Sequence, residues 1–165
     1  MDERLCVAAL MNGTPYSISE DETLLTAWEL VERSGQRHLP VVRQDGCCAG
    51  VLDRAELAVA CAEPAVALSR RRVCDLVHGR RTVTVHPEES TPRAAAVMTE
   101  EHLDALPVTD QHGRLTGLLT AGDYVAAAAG LVRHTGPAQQ APHLCAPLPG
   151  LPPRRRERER GIPIP

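Results

Sequence analysis

The sequence predicts a mixed α/β (α+β) protein made of two copies of one β-α-β-β-α unit. Three observations predict it. A shift of 67 residues aligns the two halves without a gap. Within each half, apolar residues change from strand-like to helix-like spacing and back. Each half also carries a glycine turn between two short apolar runs, Gln44-Asp45-Gly46 in one and Gln111-His112-Gly113 in the other. D-G and H-G turns flanked by apolar residues signal a hairpin.

The repeat is read directly from the residues. Leu39-Pro40-Val41 falls on Leu106-Pro107-Val108, Gly46 on Gly113, Gly50 on Gly117 and Leu52 on Leu119. Ile18 and Val85, Val31 and Met98, and Val51 and Leu118 match in kind. These identities sit at turns and at positions expected to be buried, where backbone geometry limits the choice of side chain.

Each element follows in order. A short strand is expected around Pro15 to Ser19, and its copy over Thr82 to His86. A helix follows from Thr23 to Ser34, where Leu24, Ala27, Trp28 and Val31 recur at helical spacing and Gly35 supplies a stop. In the copy the helix runs from Thr91 to Glu101, with Thr91 as N-cap and Pro92 at the first helical position. Strands over Leu39 to Arg43 and Cys48 to Leu52 form the first hairpin, and Leu106 to Thr109 and Leu115 to Leu119 the second. Helices over Arg54 to Ala62 and Ala121 to Val132 close the units. Short lead-in helices are expected near Leu5 to Met11 and Val73 to His78. One unit has too few strands to bury both faces of its sheet, so the two are expected to pair. The units occupy residues 5–66 and 70–132. The Pro- and Arg-rich segment 133–165 cannot form a core and is expected to be a disordered tail.

Composition narrows the function. Aromatic residues make up 2% of the 165 residues, against the exposed rings that base-stacking modules need. The net charge of −3 leaves no electrostatic footprint for nucleic acid or anionic lipid. No apolar run has the roughly 20 residues of a membrane helix, so a cytoplasmic protein with no nucleic-acid or membrane partner is expected. The six cysteines form no C-x-x-C pair and are expected to be free thiols. The seven histidines are scattered and are expected at the surface; no metal site is predicted. No Gly-rich phosphate loop, H-E-x-x-H pair or G-x-S-x-G elbow occurs, so no catalytic residue is assigned and the chain is not expected to be an enzyme.

Two motifs stand at strand-to-helix junctions. The second unit has Gly117-Leu118-Leu119-Thr120-Ala121-Gly122-Asp123 and the first has Gly50-Val51-Leu52-Asp53-Arg54-Ala55-Glu56. A helix start offers unpaired N–H groups and partial positive charge, suited to phosphate. The same spacing also suits a capping box, in which the side chains serve only the helix itself. The residues alone leave both readings open.

The ordered L-P-V strand and glycine turn, met twice, and the G-h-h-T-x-x-D motif, carried by the second unit and altered at Asp53 and Glu56 in the first, resemble a tandem pair of cystathionine-beta-synthase (CBS) domains, a stand-alone, bacterial-type Bateman module. The resemblance covers residues 5 to 130. It implies two units packed sheet to sheet about a pseudo-two-fold axis. It also implies an adenosine-containing regulatory ligand, AMP, ADP, ATP or S-adenosylmethionine, in a cleft between the units. No cofactor is required.

On the resemblance, Thr120 contacts phosphate and Asp123 accepts hydrogen bonds from the ribose hydroxyls. Arg37 and His38 reach phosphate from the facing unit, and Thr82 and Val85 line the adenine end. Asp53 replaces the threonine and would repel phosphate, and Glu56 is longer than aspartate, so the first unit's site is expected to be degenerate. The resemblance further implies a homodimer, through the alanine-rich stretches Ala94 to Ala96 and Ala126 to Ala129, and a regulated protein that the sequence does not identify. The competing reading is a structural dimerisation module with degenerate ligand sites.

Overall fold

The computed structural model describes residues 5–62 and 64–131. Its elements in chain order are α1 (Val7–Leu10), β1 (Ile18–Ser19), α2 (Leu24–Ser34), β2 (His38–Val42), β3 (Cys48–Asp53), α3 (Arg54–Ala60), α4 (Ala65–Leu68), α5 (Cys74–Val77), α6 (Thr91–Glu100), β4 (Ala105–Thr109), β5 (Leu115–Thr120) and α7 (Ala121–Ala128). The segment expected to be a disordered tail lies outside the described residues.

The repeat is exact in the hairpins. In the first, His38 pairs with Asp53, Leu39 with Leu52 and Val41 with Gly50, with an irregularity after Val41. In the second, Ala105 pairs with Thr120, Leu106 with Leu119 and Val108 with Gly117, with the same irregularity after Val108. Gly46 and Gly113 take φ of 84° and 78° at the turns, where only glycine is free of the Cβ penalty. The turns also join the units: Cys48 N–H donates to Gly113 O at 2.9 Å and Leu115 N–H to Gly46 O at 3.2 Å.

β1 runs parallel to β2, pairing Ile18 with Val41. Its copy is shorter than the sequence predicts. Over Thr82 to His86 only Val85 pairs, in one parallel bridge to Val108. The start of α6 also differs: its N-cap is Ser90, whose Oγ accepts from Arg93 N–H at 3.4 Å. Thr91, expected to be the cap, sits one residue inside, where it is 1% exposed. α2 starts and stops as its sequence predicts, with Thr23 as cap and Gly35 at φ 67°.

Two apolar cores result. Ile18, Leu24, Val31, Leu39, Leu52 and Leu57 are fully buried in the first. Val85, Ala94, Met98, Leu106, Val108 and Leu119 build the second. The lead-in segments cross between them. Val7, Leu10 and Met11, at the start of the first unit, pack in the core of the second. Val73 and Val77, at the start of the second unit, pack in the core of the first. Backbone bonds fix both: Val7 N–H donates to Glu89 O and Val73 N–H to Glu22 O, each at 2.8 Å.

Gly117 and Gly50 are where these crossing segments land. A Cβ on Gly117 would stand 2.9 Å from Asn12 O, and one on Gly50 would stand 3.3 Å from Val77 Cγ1. The glycine that opens each G-h-h motif therefore makes room for the other unit's lead-in segment.

Candidate functional site

A cleft of about 720 Å³ opens between the units at the start of α7. The strand β5 ends at Thr120 and the helix begins at once, so both motif residues are displayed at the junction. Thr120 N–H and Oγ1–H both donate to Asp123 Oδ2, at 2.7 and 2.8 Å, and Asp123 N–H donates to Thr120 Oγ1 at 3.3 Å. The capping box is thus formed. Only one carboxylate oxygen, Oδ2, is taken by it, and Asp123 lines the cleft. Capping and ligand binding are compatible here.

Arg37 and His38 line the same cleft from the first unit. Their placement is set by Gln36, whose side chain acts as a rung between neighbouring backbones. Its Oε1 accepts from Tyr16 N–H at 3.0 Å, while its Nε2 donates to Tyr16 O at 2.9 Å and His38 O at 2.6 Å. Arg37 is exposed and forms no ion pair among the described residues. His38, expected at the surface, has a side chain only 12% exposed, with Nε2 3.3 Å from Asp53 Oδ2. Burial lowers the His38 pKa below the ordinary histidine value. Asp53 opposes that, Arg37 adds to it, and Asp104 opposes it more weakly.

Two of the sequence-predicted positions lie elsewhere. Val85 is 1% exposed in the second core, and its N–H and C=O bond Pro107 O and Thr109 N–H. Its side chain belongs to that core and does not line the Thr120 cleft. Thr82 donates its hydroxyl to Ala49 O at 2.8 Å, on β3 of the first unit, and does not line the Thr120 cleft. The crossing of the lead-in segments accounts for this. The wall at that end of the cleft is instead Met11, Asn12 and Thr14, from the segment after α1. Asn12 pairs with Leu118 through two backbone bonds of 2.9 Å, and its Oδ1 accepts from Thr14 N–H at 3.0 Å. These residues, with Gln36 and Asp104, were not singled out in the sequence. The available signal was the repeat itself, which carries Thr82 back to Pro15, beside Thr14.

The first unit's motif is arranged differently. Asp53 caps α3 through Ala55 N–H at 2.7 Å. Glu56 pairs with Arg80, so no reciprocal capping box forms. Both carboxylates are satisfied within the chain. Among the described residues no group of three metal-ligating side chains gathers, and no helix is long and apolar enough to cross a membrane.

Comparison with known proteins agrees with this architecture. The CBS domain family model matches residues 7–63 and again 73–130. A CBS domain-containing protein of Dictyostelium discoideum is 27% identical over 129 residues, covering 73% of this chain and 88% of that protein. A homoserine O-acetyltransferase of Methanosarcina acetivorans is 29% identical over 118 residues, covering 70% of this chain but only 20% of the enzyme. The chain thus spans about a fifth of the length of that relative.

Among solved structures, a CBS domain pair in complex with 5′-methylthioadenosine and S-adenosyl-L-methionine superposes with a TM-score of 0.66 at 21% identity, covering 76% of this chain and 97% of that one. CBSX2 in complex with AMP gives 0.64 at 25% identity, covering 78% and 98%. With two copies of the unit, one register in both hairpins and the family model matching each copy, this chain belongs to the CBS domain family as a tandem pair.

Proposed function

We propose that the chain is a regulatory module that senses an adenosine-containing nucleotide in the cleft at the start of α7. One observation carries this reading: Arg37 and His38 of one unit face Thr120 and Asp123 of the other across a single cleft. The helix start and Arg37 suit phosphate, while Asp123 Oδ1 suits a pair of ribose hydroxyls. CBSX2, which is 25% identical, holds AMP, and the cytosolic domain of the Mg2+ channel MgtE, also 25% identical, holds ATP. The reading is of a sensor without catalysis, acting on a protein that it regulates.

The first unit's motif is proposed to be silent, because Asp53 and Glu56 are occupied by His38 and Arg80. Calorimetric titration with AMP, ADP, ATP and S-adenosylmethionine tests the reading. Binding of any of these in the micromolar range supports it, and no binding of any overturns it.

A specific observation also favours an interaction role. Val59 on α3 and Val125 on α7 are 78% and 70% exposed, and large apolar side chains at that exposure suit a partner surface. We propose a homodimer that buries these helices. The expected alanine stretches contribute unequally, since Ala94 is fully buried within its own core. Light scattering at tens of micromolar tests the dimer; Val125→Glu should convert it to monomer, and a monomeric parent protein would refute it.

A further inference from the structure

We propose that His38 receives the ligand's phosphate as an imidazolium, so that a phosphate-bearing nucleotide takes up a proton on entering the cleft, with Asp53 as the residue that positions the ring. This rests on the nucleotide reading of the cleft and adds its regulation.

The geometry begins with the cross-strand pair. His38 and Asp53 stand opposite each other in β2 and β3, and His38 Nε2 is 3.3 Å from Asp53 Oδ2. Asp53 cannot swing to follow the ring, because its Oδ1 is held by Ala55 N–H at 2.7 Å. With Nε2 turned to Asp53, Nδ1 is the nitrogen left for a ligand. A neutral ring that keeps its proton on Nε2 offers only a lone pair at Nδ1, which repels a phosphate oxygen. The imidazolium donates from both nitrogens and can bridge Asp53 and phosphate.

The charged groups that face the ring decide which form is present. Arg37, beside it on the chain, opposes protonation, while Asp53 and Asp104 favour it. Asp123 lines the far side of the same cleft. In the free protein burial and Arg37 outweigh the carboxylates and hold the ring's pKa below the ordinary histidine value, toward the neutral form. A phosphate dianion in the cleft adds negative charge and reverses that balance. The proton comes from the solvent, and no bond other than N–H is made.

The inference also gives Asp53 a role. The second unit has Thr120 at the matching position. The aspartate that disqualifies the first unit as a phosphate site prepares the histidine of the working one.

Calorimetry of the full chain at about pH 7.5, where AMP is a dianion and a histidine of ordinary pKa is mostly neutral, tests this directly. Titrations with AMP and with adenosine are run in two buffers of different ionisation enthalpy. The AMP enthalpy should differ between the buffers, reporting uptake of a substantial fraction of a proton, and the adenosine enthalpy should not. His38→Gln should abolish the difference and weaken AMP binding by about tenfold or more, with adenosine binding little changed. Asp53→Asn should reduce the uptake while the ring remains. AMP binding with equal enthalpy in both buffers, or uptake that survives His38→Gln, overturns the inference and leaves the nucleotide reading standing. Failure of AMP to bind overturns the inference, and failure of ADP, ATP and S-adenosylmethionine as well overturns the nucleotide reading.

Discussion

Met11 Sδ lies 2.6 Å from where a Cβ would stand on Gly117. The contact joins the lead-in segment to the middle of β5, and Asn12 O, which is backbone and cannot rotate away, closes the other side at 2.9 Å. Gly117→Ala must push this segment off the strand. A loss of about 1–3 kcal/mol is expected, typical of overpacking, and is read from the denaturant midpoint. Because Met11 and Asn12 line the cleft, ligand affinity should fall with it. Unchanged stability would mean that the segment docks less tightly than this contact requires.

The two motifs are expected to respond oppositely to alanine. Asp123→Ala removes the carboxylate proposed to accept from ribose and should weaken nucleotide binding about tenfold to a hundredfold, the effect of about 1.5–3 kcal/mol. It also removes one side of the capping box, at about 1 kcal/mol, so thermal unfolding is measured alongside. Glu56→Ala only breaks a partly exposed pair with Arg80 and should leave affinity unchanged. Binding lost in Glu56→Ala and kept in Asp123→Ala would move the site to the first unit.

His38 should make stability depend on pH. Its pKa is lowered by burial, so below the ordinary histidine value of about 6.5 the unfolded chain binds the proton more readily than the folded one. The neutral ring's contribution is complete above that value and is lost as pH falls from it through the folded pKa. Unfolding free energies measured between about pH 7.5 and 5 should therefore decline, and His38→Gln should flatten part of that slope. An identical slope in the variant would show that other groups carry it.

Cys48 should be chemically silent in the folded protein. Burial pushes its thiol up to about 11, and its Sγ–H is directed to Gly50 O at 3.6 Å. At about pH 8 almost no thiolate is present to attack an alkylating reagent. Pulsed iodoacetamide labelling with mass-spectrometric readout should modify Cys48 only after unfolding, and rapid labelling of native protein would contradict its burial.

The hairpins were legible because their constraints are local. A turn that needs positive φ selects glycine at 46 and 113, and a strand packed on one core selects Leu39, Leu52, Leu106 and Leu119. The pairing of Arg37 and His38 with Thr120 and Asp123 followed from the family resemblance, not from spacing. What stayed hidden depends on tertiary choice. A four-residue helix such as α1 has no sequence feature that says which of two similar cores it joins. That choice sends Thr82 to Ala49 and brings Asn12 and Thr14 to the cleft. The reach of His38 to Asp53 was hidden for a related reason. Each residue belonged to a different motif, and only the cross-strand register brings them together.

The crossing of the lead-in segments also governs how the protein comes apart. The first core needs Val73 and Val77, and the second needs Val7, Leu10 and Met11. A cut between the units leaves each half with a segment that belongs to the other and a core with a vacancy where its own should be. Neither half reaches its full burial alone, so the pair should unfold in one cooperative transition. In synthesis, Val7, Leu10 and Met11 must wait for β5 before they find their place, a long-range closure that slows folding in the manner of high contact order.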